Sequence, residues 1–254
     1  MKIAICIKQV VTRESQLRLG DGQRWIREQD ASYEMNEPDA YALEEGLRLK
    51  EKHGGEVVVC SAGPARVQQL LREALARGAD RAIHVEHDGF AHADASTIAR
   101  ALADAIRDES FDLVLTGLQS DDQGFGQVGV VLAEYLDVPH ATIIMEVQAA
   151  EGRLRVKREL ESGWFQWIGM TLPALLTIQS GINQLRYATL KGIMAAKKKE
   201  IRKVVPTMLA EPSQRIERLY VPEKAKQTTL IGGAPAEAAK TLVRVLREEA
   251  RVIS

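Results

Sequence analysis

The 254-residue chain lacks several features that would assign it to a common class of protein. Its 34 basic and 35 acidic residues leave a formal net charge of −1, which excludes the chain-wide basic field that nucleic-acid binding usually requires. No segment is read as a bilayer span, and no signal-peptide cleavage pattern follows Met1. We therefore expect a cytoplasmic protein that does not itself span a membrane.

Cysteine and histidine are also scarce. The two cysteines, Cys6 and Cys60, lie in apolar strand-like runs, where a free cysteine behaves as a small hydrophobic residue. We expect both to be buried, reduced and structural. The five histidines show no metal-ligand spacing, and no Ser, Cys or His group has the arrangement of an activated nucleophile. The sequence therefore predicts neither a metal site nor catalytic residues.

The standard phosphate-binding fingerprints are missing as well. There is no G-x-x-x-x-G-K-[ST] sequence, and the stretch KQVVTRES at 8–15 contains no glycine. The stretch GFGQVG at 124–129 has the spacing G-x-G-x-x-G, but it follows the fourth predicted strand and lacks the later acidic residue of a dinucleotide fold. Two interpretations stay open: glycines that let backbone N–H groups reach a phosphate at a helix start, or a structural turn.

Asp121 and Asp122 directly precede these glycines. A pair of carboxylates suits Mg²⁺ or a ribose hydroxyl, and it equally suits a helix cap exposed to solvent. Without an evident nucleophile or base, the chain is interpreted as a protein that holds a nucleotide.

Strands and helices alternate over the first 140 residues. Buried parallel strands are predicted at 2–7, 56–63, 81–86 and 112–117. Helices are predicted at 39–54, 64–80, 94–108 and 126–136. This order predicts an α/β fold with a doubly wound, mostly parallel sheet and helices on both faces. Because ligands of such sheets bind beyond the carboxyl ends of the strands, the candidate loops are 8–13, 35–39, 61–64 and 117–129.

The pattern changes after Pro139. Four strand-like segments, 141–148, 153–160, 163–170 and 174–179, predict an antiparallel extension of the sheet. Trp164 and Trp167 fall on opposite faces of the third segment, so we expect one in the core and the other at an interface or, less favoured, stacked on a cofactor.

The last quarter of the chain changes character again. Residues 201–233 lack periodicity and predict an extended arm, and 235–253 predict an amphipathic helix. The chain is therefore divided into a nucleotide-binding α/β domain, 1–200, and an arm with a helix, 201–254, whose apolar faces need a partner surface.

Seven stretches occur together and in a fixed order: IKQV (7–10), MNEPDAYALEEGLRLKE (35–51), AGPA (62–65), EALARGADRAIHVE (73–86), DLVLTGLQSDDQGFGQVG (112–129), LPALLTIQ (172–179) and RYATLKGIMAAKKKEI (186–201). Up to about residue 205, the chain resembles the β subunit of electron transfer flavoprotein. The resemblance implies an electron carrier rather than an enzyme, paired with an α subunit that provides most contacts to an FAD. It also implies a second nucleotide in the β subunit, which is AMP in ordinary members and a second FAD in electron-bifurcating ones. Acyl-CoA dehydrogenases of fatty acid oxidation, or other flavin dehydrogenases, would donate electrons, and a membrane-associated quinone oxidoreductase would accept them.

The resemblance also assigns residues. The nucleotide-binding positions that it implies are Cys6, Asn36, Asp39, Ala62, Asp122, Gln123, Gly124, Phe125, Gly126, Gln127, Val128 and Gly129. Arg13 stands where some members place an aromatic residue near the flavin, and we hypothesise that its guanidinium stabilises a reduced anionic flavin. Residues 184–200 match the loop that docks on dehydrogenases. Its implied contact residues are Tyr187, Leu190, Ile193, Met194 and Lys197, with Leu190 as the apolar anchor and the lysines at 197–199 adding electrostatic steering.

The sequence departs from the family pattern at three places. Glu37 and Pro38 follow Asn36 where common members have a proline and an aromatic residue. The loop at 117–129 lacks the Asp-Gly-Asp-Thr pattern of the bifurcating members, which favours AMP over a second FAD. Leu185 and Lys191 replace two prolines of the docking loop, so the dehydrogenase can differ from the acyl-CoA enzymes.

Two other classes of function stay open beside this resemblance. A stand-alone nucleotide-binding module would use the same core without flavin. A nucleotide-hydrolysing or adenylating enzyme is disfavoured, because it needs a glycine-rich loop after the first strand.

Overall fold

The computed structural model describes residues 1–150, 152–222 and 228–253, apart from the side chain of His92. Within these ranges the chain divides into two units, Met1–Leu219 and Tyr220–Ser254. The strands are β1 (Lys2–Cys6), β2 (Gln9–Val11), β3 (Tyr33–Met35), β4 (Glu56–Gly63), β5 (Arg81–Glu86), β6 (Leu113–Gly117), β7 (His140–Ala150), β8 (Arg153–Glu159), β9 (Phe165–Thr171), β10 (Ala174–Ile178) and β11 (Ile201–Val204). The α-helices are α1 (Glu37–His53), α2 (Val67–Arg77), α3 (Ala95–Ile106), α4 (Val128–Leu136), α5 (Leu190–Ala196) and α6 (Pro235–Arg244).

The first unit is built on a nine-stranded sheet in the order β11-β5-β4-β1-β6-β10-β7-β8-β9. Its strands run parallel from β11 to β7, and β8 and β9 add an antiparallel hairpin. The central strand β1 carries Ile3, Ala4 and Ile5 without exposed surface. A parallel sheet covered on both faces requires such continuous apolar runs, so the fold class that the sequence predicts is confirmed.

Helices cover both faces of this sheet. One apolar layer joins Ile3 and Ile5 of β1 to α1, α2 and α5. The other joins Ala4 and Cys6 of the same strand to α3 and α4. Because side chains alternate along a strand, the two core layers share one backbone, and every strand at the centre is fixed from both sides.

The direction of winding reverses at β1. The chain first adds β4 and β5 on one side of β1, and then places β6 on the other side. The carboxyl ends of β1 and β6 therefore flank a topological switch point, which is where open α/β sheets form their ligand crevice.

The predicted antiparallel extension was right for β7, β8 and β9 and wrong for the fourth segment. β10 lies between β6 and β7 and is parallel to both. All five of its residues are buried, as a strand covered on both faces requires, whereas a half-buried hairpin strand alternates. The sequence predicted an antiparallel strand because this segment follows β9 closely in the chain. Burial of Ala174–Ile178 on both faces instead stabilises a position at the centre of the sheet.

The prediction of one buried tryptophan was also wrong. Trp164 is 73% exposed and Trp167 is 40% exposed. Trp164 precedes β9, which is the edge strand of the sheet and carries mostly exposed residues. The guanidinium carbon of Arg155 lies 4.3 Å from the ring centre of Trp167, which covers that ring only in part.

The residues after 200 do not form only an extended arm. Ile201–Val204 pair with β5 as β11, so the sheet continues past the predicted end of the first domain. In the second unit, α6 continues into a π-helical turn at Val245–Glu249 and leaves Leu242 and Val243 exposed. The parts of the predicted arm at 223–227 and of the second domain at 254 lie outside the described residues. No helix in the described ranges has the length and apolarity to cross a bilayer.

The central position of β10 gives a test by mutation. Leu176→Ala should lower the free energy of unfolding by about 2–5 kcal/mol, because it leaves a cavity in a fully buried layer. Leu160→Ala, at the 40% exposed end of the hairpin, is the matched control and should cost less than about 1 kcal/mol. Urea unfolding of both variants measures the difference. Equal losses would contradict the central placement of β10.

Candidate functional site

The loops that the parallel sheet selects meet at one cavity beyond the ends of β1, β4 and β6. Of the predicted nucleotide-binding residues, those that line it are Cys6, Asn36, Asp39, Ala62, Asp122, Gln123, Phe125, Gly126, Gln127, Val128 and Gly129. Gly124 lies in the same loop but does not line the cavity, and Arg13 lies outside it. The structure therefore brings eleven of these thirteen positions together.

Asp39 joins the two strand ends at the switch point. Its Oδ2 accepts the backbone N–H of Lys8 at 2.7 Å, and its Oδ1 accepts the backbone N–H of Gly117 at 2.8 Å. Burial raises the pKa of this carboxyl to about 7, although both N–H bonds favour the charged form. Since Lys8 follows β1 and Gly117 ends β6, one side chain at the start of α1 fixes the spacing of the cavity mouth.

Asn36, like Asp39, forms its hydrogen bonds with backbone groups. Its side-chain amide donates to the carbonyl of Gln119 at 3.0 Å, and its Oδ1 accepts the N–H of Asp121 at 2.9 Å. Its own N–H donates to the carbonyl of Lys8 at 3.0 Å. The residue is buried and ties the loop at 117–129 to the start of α1.

Lys8 begins the candidate loop at 8–13, but sequence reasoning did not name it among the nucleotide-binding residues. Its ammonium group donates to Asp122 at 2.6 Å, Gln123 at 3.1 Å and Ser120 at 3.3 Å. Its position directly after β1, at the switch point, was the available signal. Cavity residues further from the predicted loops were also missed; they are Trp25, Glu28, Tyr33, Arg66, Phe90, Asp94, Ile98 and Leu102.

Four of these missed residues contact one another in one wall of the cavity. Arg66 pairs with Glu28 at 3.0 Å and lies 4.3 Å from the ring centre of Tyr33. Glu28 also accepts from the indole N–H of Trp25 at 3.2 Å. Glu28, Tyr33 and Trp25 belong to the stretch between β2 and α1, where the sequence offers no periodic pattern, so only folding brings them to the cavity.

The loop at 117–129 has the backbone of a compact turn that leads into a helix. Gly124 and Gly126 have φ values of 67° and 63°, a region that side chains with a Cβ rarely adopt. Gln127, Val128 and Gly129 then bring the start of α4 to the cavity wall. Free N–H groups and the positive end of the helix dipole suit an anion at this place.

Asp121 and Asp122 are bound to different parts of the chain. Asp122 is held by Lys8, while Asp121 accepts the N–H of Glu37 at 3.2 Å. The described residues contain no group of three His, Cys, Asp or Glu side chains placed for a metal ion. Both carboxylates therefore serve to attach the loop to β1 and α1.

The two cysteines are neighbours in the sheet. Cys6 of β1 is in register with Cys60 of β4, and both are free and buried. A hydrogen bond with Cys60 and burial raise the pKa of the Cys6 thiol well above its ordinary value, so it stays neutral. The expectation of buried, unpaired cysteines is confirmed, and Cys6 also lines the cavity.

Arg13 lies on the outside of this region. Its side chain is 70% exposed, and its guanidinium pairs with Glu37 at 2.8 Å and approaches Asp121 at 3.9 Å. A role toward a flavin stays a prediction.

The predicted docking residues lie in α5 and directly beside it. Tyr187, Leu190, Ile193 and Met194 are exposed, with Tyr187 at 90% and Leu190 at 79%. Thr189 caps α5 by accepting the N–H of Gly192 at 3.1 Å. Lys197 and Lys198 are exposed, but Lys199 is half-buried and donates to the carbonyls of Leu75 and Ala79. The prediction of electrostatic steering therefore applies to Lys197 and Lys198 and not to Lys199.

Comparison with known proteins identifies the family. The electron transfer flavoprotein domain matches residues 24–209. The chain is 37% identical to electron transfer flavoprotein subunit beta of Methylophilus methylotrophus, with 98% of each chain covered. It is 36% identical to the Bacillus subtilis subunit, with both chains fully covered, and 34% identical to the human subunit, with 99% of each chain covered.

The chain belongs to the electron transfer flavoprotein beta subunit family. The resemblance found in its motifs is thereby confirmed, and its role is in electron transport as one subunit of a flavoprotein. The domain match includes the loop at 117–129 and the docking segment, whereas Cys6, Lys8 and Arg13 precede it.

The buried carboxyl of Asp39 predicts a pH effect. Its folded-state pKa of about 7 lies above the ordinary 3.8, so the native state binds this proton more tightly than the unfolded chain. The resulting stability is fully present below about pH 4 and is lost as the pH rises through about 7. Relative to Asp39→Asn, wild-type stability should fall between pH 5 and 7 by at most about 1.4 kcal/mol per pH unit.

Urea unfolding of the nucleotide-free protein at several pH values measures this difference. Asp21→Asn, which changes a fully exposed carboxylate, is the control and should leave the wild-type pH profile unchanged. A constant or rising advantage of the wild type over Asp39→Asn would contradict the prediction.

Proposed function

We propose that this chain is the β subunit of a heterodimeric electron transfer flavoprotein. It holds AMP in the cavity beyond the ends of β1, β4 and β6, which Asp39 lines. It helps to frame an FAD carried mainly by the α subunit. Dehydrogenases deliver electrons to that FAD, and a quinone-linked oxidoreductase at the membrane receives them. One observation carries the nucleotide assignment: Lys8, Asp39 and the loop at 117–129 meet with the start of α4 at one cavity.

The walls of the cavity fit a nucleotide. The start of α4 and its glycine loop offer backbone N–H groups to a phosphate. Apolar side chains on other walls, Val67, Phe90, Ile98 and Leu102, suit a planar base. FAD supplies the redox chemistry when it is bound, and the residues of this chain supply position, since Asp39, Asn36 and Lys8 each hold backbone or loop groups in place.

The charges of the cavity favour a monophosphate. Among the described lining residues, the cations are Lys8 and Arg66, and both are already paired, Lys8 with Asp122 and Arg66 with Glu28. A dinucleotide brings a second phosphate group, which would need a further cation or free donors. This supports AMP over a second FAD; the bifurcating type and a flavin-free module are the alternatives that the first experiment separates.

Exposed apolar surface supports a partner subunit. The helix α6 leaves Leu242 and Val243 exposed, and the hairpin of β8 and β9 leaves Phe165 and Trp167 exposed. Patches of this kind commonly mark protein interfaces. Free buried cysteines support a reducing compartment, the cytoplasm or the mitochondrial matrix.

A nucleotide count tests the proposal. We would co-express the chain with an α subunit, purify the complex and release its bound nucleotides for chromatography. The expected result is one FAD and one AMP per heterodimer. Two FADs without AMP would contradict the AMP assignment and establish the bifurcating alternative, and a complex free of flavin would contradict the flavoprotein role.

A variant of Lys8 makes the same experiment specific for the cavity. Lys8→Met should raise the dissociation constant of AMP at least about tenfold, because the loop loses charge-assisted hydrogen bonds. Lys52→Met, at an exposed lysine of α1, should leave it unchanged.

Docking on a dehydrogenase gives a second prediction. Leu190→Ala should lower kcat/KM for reduction of the heterodimer by its dehydrogenase at least about tenfold, because an apolar anchor is lost from the interface. Acyl-CoA dehydrogenase is the first donor to assay, followed by other purified flavin dehydrogenases. Met208→Ala removes an equally exposed apolar side chain elsewhere and should have no effect; equal rates for the two variants would contradict docking at Leu190.

A further inference from the structure

The docking segment, residues 184–200, is held by its own chain at its start. Arg186 donates to the Glu44 carboxylate at 2.7 and 3.1 Å and to the Glu51 carboxylate at 2.6 and 3.2 Å. Glu44 and Glu51 lie two turns apart on α1, and Glu44 is buried. Arg48, between them, pairs with Glu44 at 2.9 Å and donates to the Gln184 carbonyl at 3.3 Å. One guanidinium therefore bridges two carboxylates of a rigid helix.

The same segment is held at its other end by α2. Arg72 donates to the carbonyls of Ala196 and Lys199, both at 2.6 Å. Lys199 returns its ammonium group to the carbonyls of Leu75 and Ala79 at the end of α2. These exchanges give additional donors to carbonyl groups at and just beyond the ends of two helices.

The middle of the segment is in close contact with α2. A Cβ at Gly192 would collide with the carbonyl oxygen of Ala76, and Ala196 is buried on the same side. Leu190, Ile193 and Met194 are left on the outer side of α5. The contact of Gly192 thus sets which face of the helix is available.

A helix of seven residues does not hold its shape alone in water. A segment that orders only on binding loses part of its affinity to the ordering entropy. When the segment is fixed by ion pairs and carbonyl contacts within the chain, that entropy is lost during folding instead of during docking.

We infer that Arg186 and Arg72 are positioning residues for partner docking. They clamp the two ends of 184–200 onto α1 and α2, so that Leu190 is presented in one orientation before a dehydrogenase arrives. The docking half of this inference rests on the proposed function; the clamp itself stands on the contacts within the chain.

The charge state of Glu44 agrees with a true ion pair. Burial would raise the pKa of this carboxyl, but hydrogen bonds from Arg186 and Arg48 hold it below its ordinary value. Removing Arg186 alone leaves a buried carboxylate with one cation fewer, which is costlier than removing both partners. The double variant Arg186→Gln/Glu44→Gln therefore keeps the clamp testable where the single variant folds poorly.

Hydrogen exchange of the purified heterodimer tests the clamp without any dehydrogenase. In Arg186→Gln, in Arg72→Gln and in the double variant, the amides of 190–196 should exchange at least about tenfold faster than in the wild type, because local opening costs less free energy. Arg77→Gln is the matched control, since Arg77 also lies on α2 and pairs with Glu73 of the same helix. Unchanged exchange in the three clamp variants would overturn the inference.

Steady-state kinetics with the donor dehydrogenase tests positioning. The KM for the flavoprotein should rise about tenfold in Arg186→Gln, while kcat at saturation stays the same, because the clamp acts before docking and not on electron transfer. Arg186→Lys keeps the charge but not the forked geometry, so it should restore KM only in part.

The outcomes separate the two proposals. If a dehydrogenase reduces the wild type and the KM of Arg186→Gln is unchanged, the positioning role is wrong and docking stands. If Leu190→Ala has no effect on reduction of the wild-type complex, docking at this surface is wrong, and hydrogen exchange still decides the clamp.

Discussion

The candidate site depends on one carboxylate. Asp39 accepts the N–H groups of Lys8 and Gly117, which belong to strand ends on the two sides of the switch point. The two strands no longer form backbone hydrogen bonds with each other at this point, because their parallel pairing has ended. The N–H groups of Lys8 and Gly117 therefore need another acceptor. A short acidic side chain at the start of α1 takes both donors, and the cavity exists between the loops that it holds.

The polar residues around the cavity are occupied in the same manner. Asn36 binds two backbone groups of the loop at 117–129, and Lys8 binds three side chains of that loop. A group that is fully engaged in holding a loop is poorly placed to take a proton from a substrate. The arrangement therefore suits a site that holds a nucleotide in place, which agrees with an electron-transport subunit whose chemistry belongs to a flavin.

The helix α2 has one end at the candidate nucleotide site and the other at the docking segment. Its first residue, Val67, lines the cavity together with the preceding Arg66, and its last turn contacts Lys199 and Gly192 of the docking segment. Eleven residues of helix span about 16 Å, so the two surfaces are separate but share one rigid element. Under the proposed function, such an element fixes the distance between a bound nucleotide and a docked partner.

The sequence by itself determined the elements whose pattern is local and repeated. Continuous apolar runs predicted β1, β4, β5 and β6, and the rule for parallel sheets pointed to the loops that do meet at the cavity. The resemblance of the motifs to the family was sufficient to identify it. These features depend on neighbours in sequence or on a short list of allowed topologies, so they can be read before the chain folds.

Tertiary structure decided the rest, because the deciding contacts join residues far apart in sequence. Ala174–Ile178 became a central strand since burial on both faces outweighed the hairpin that precedes it. The ammonium group of Lys8 reached Asp122, and Arg186 reached Glu44, across more than 100 residues each. Lys199 is half-buried instead of lying on the charged surface that a lysine run predicts, because its ammonium group donates to a carbonyl group at the end of α2. No periodicity encodes such pairs, since their partners are chosen by the packing of helices on the sheet.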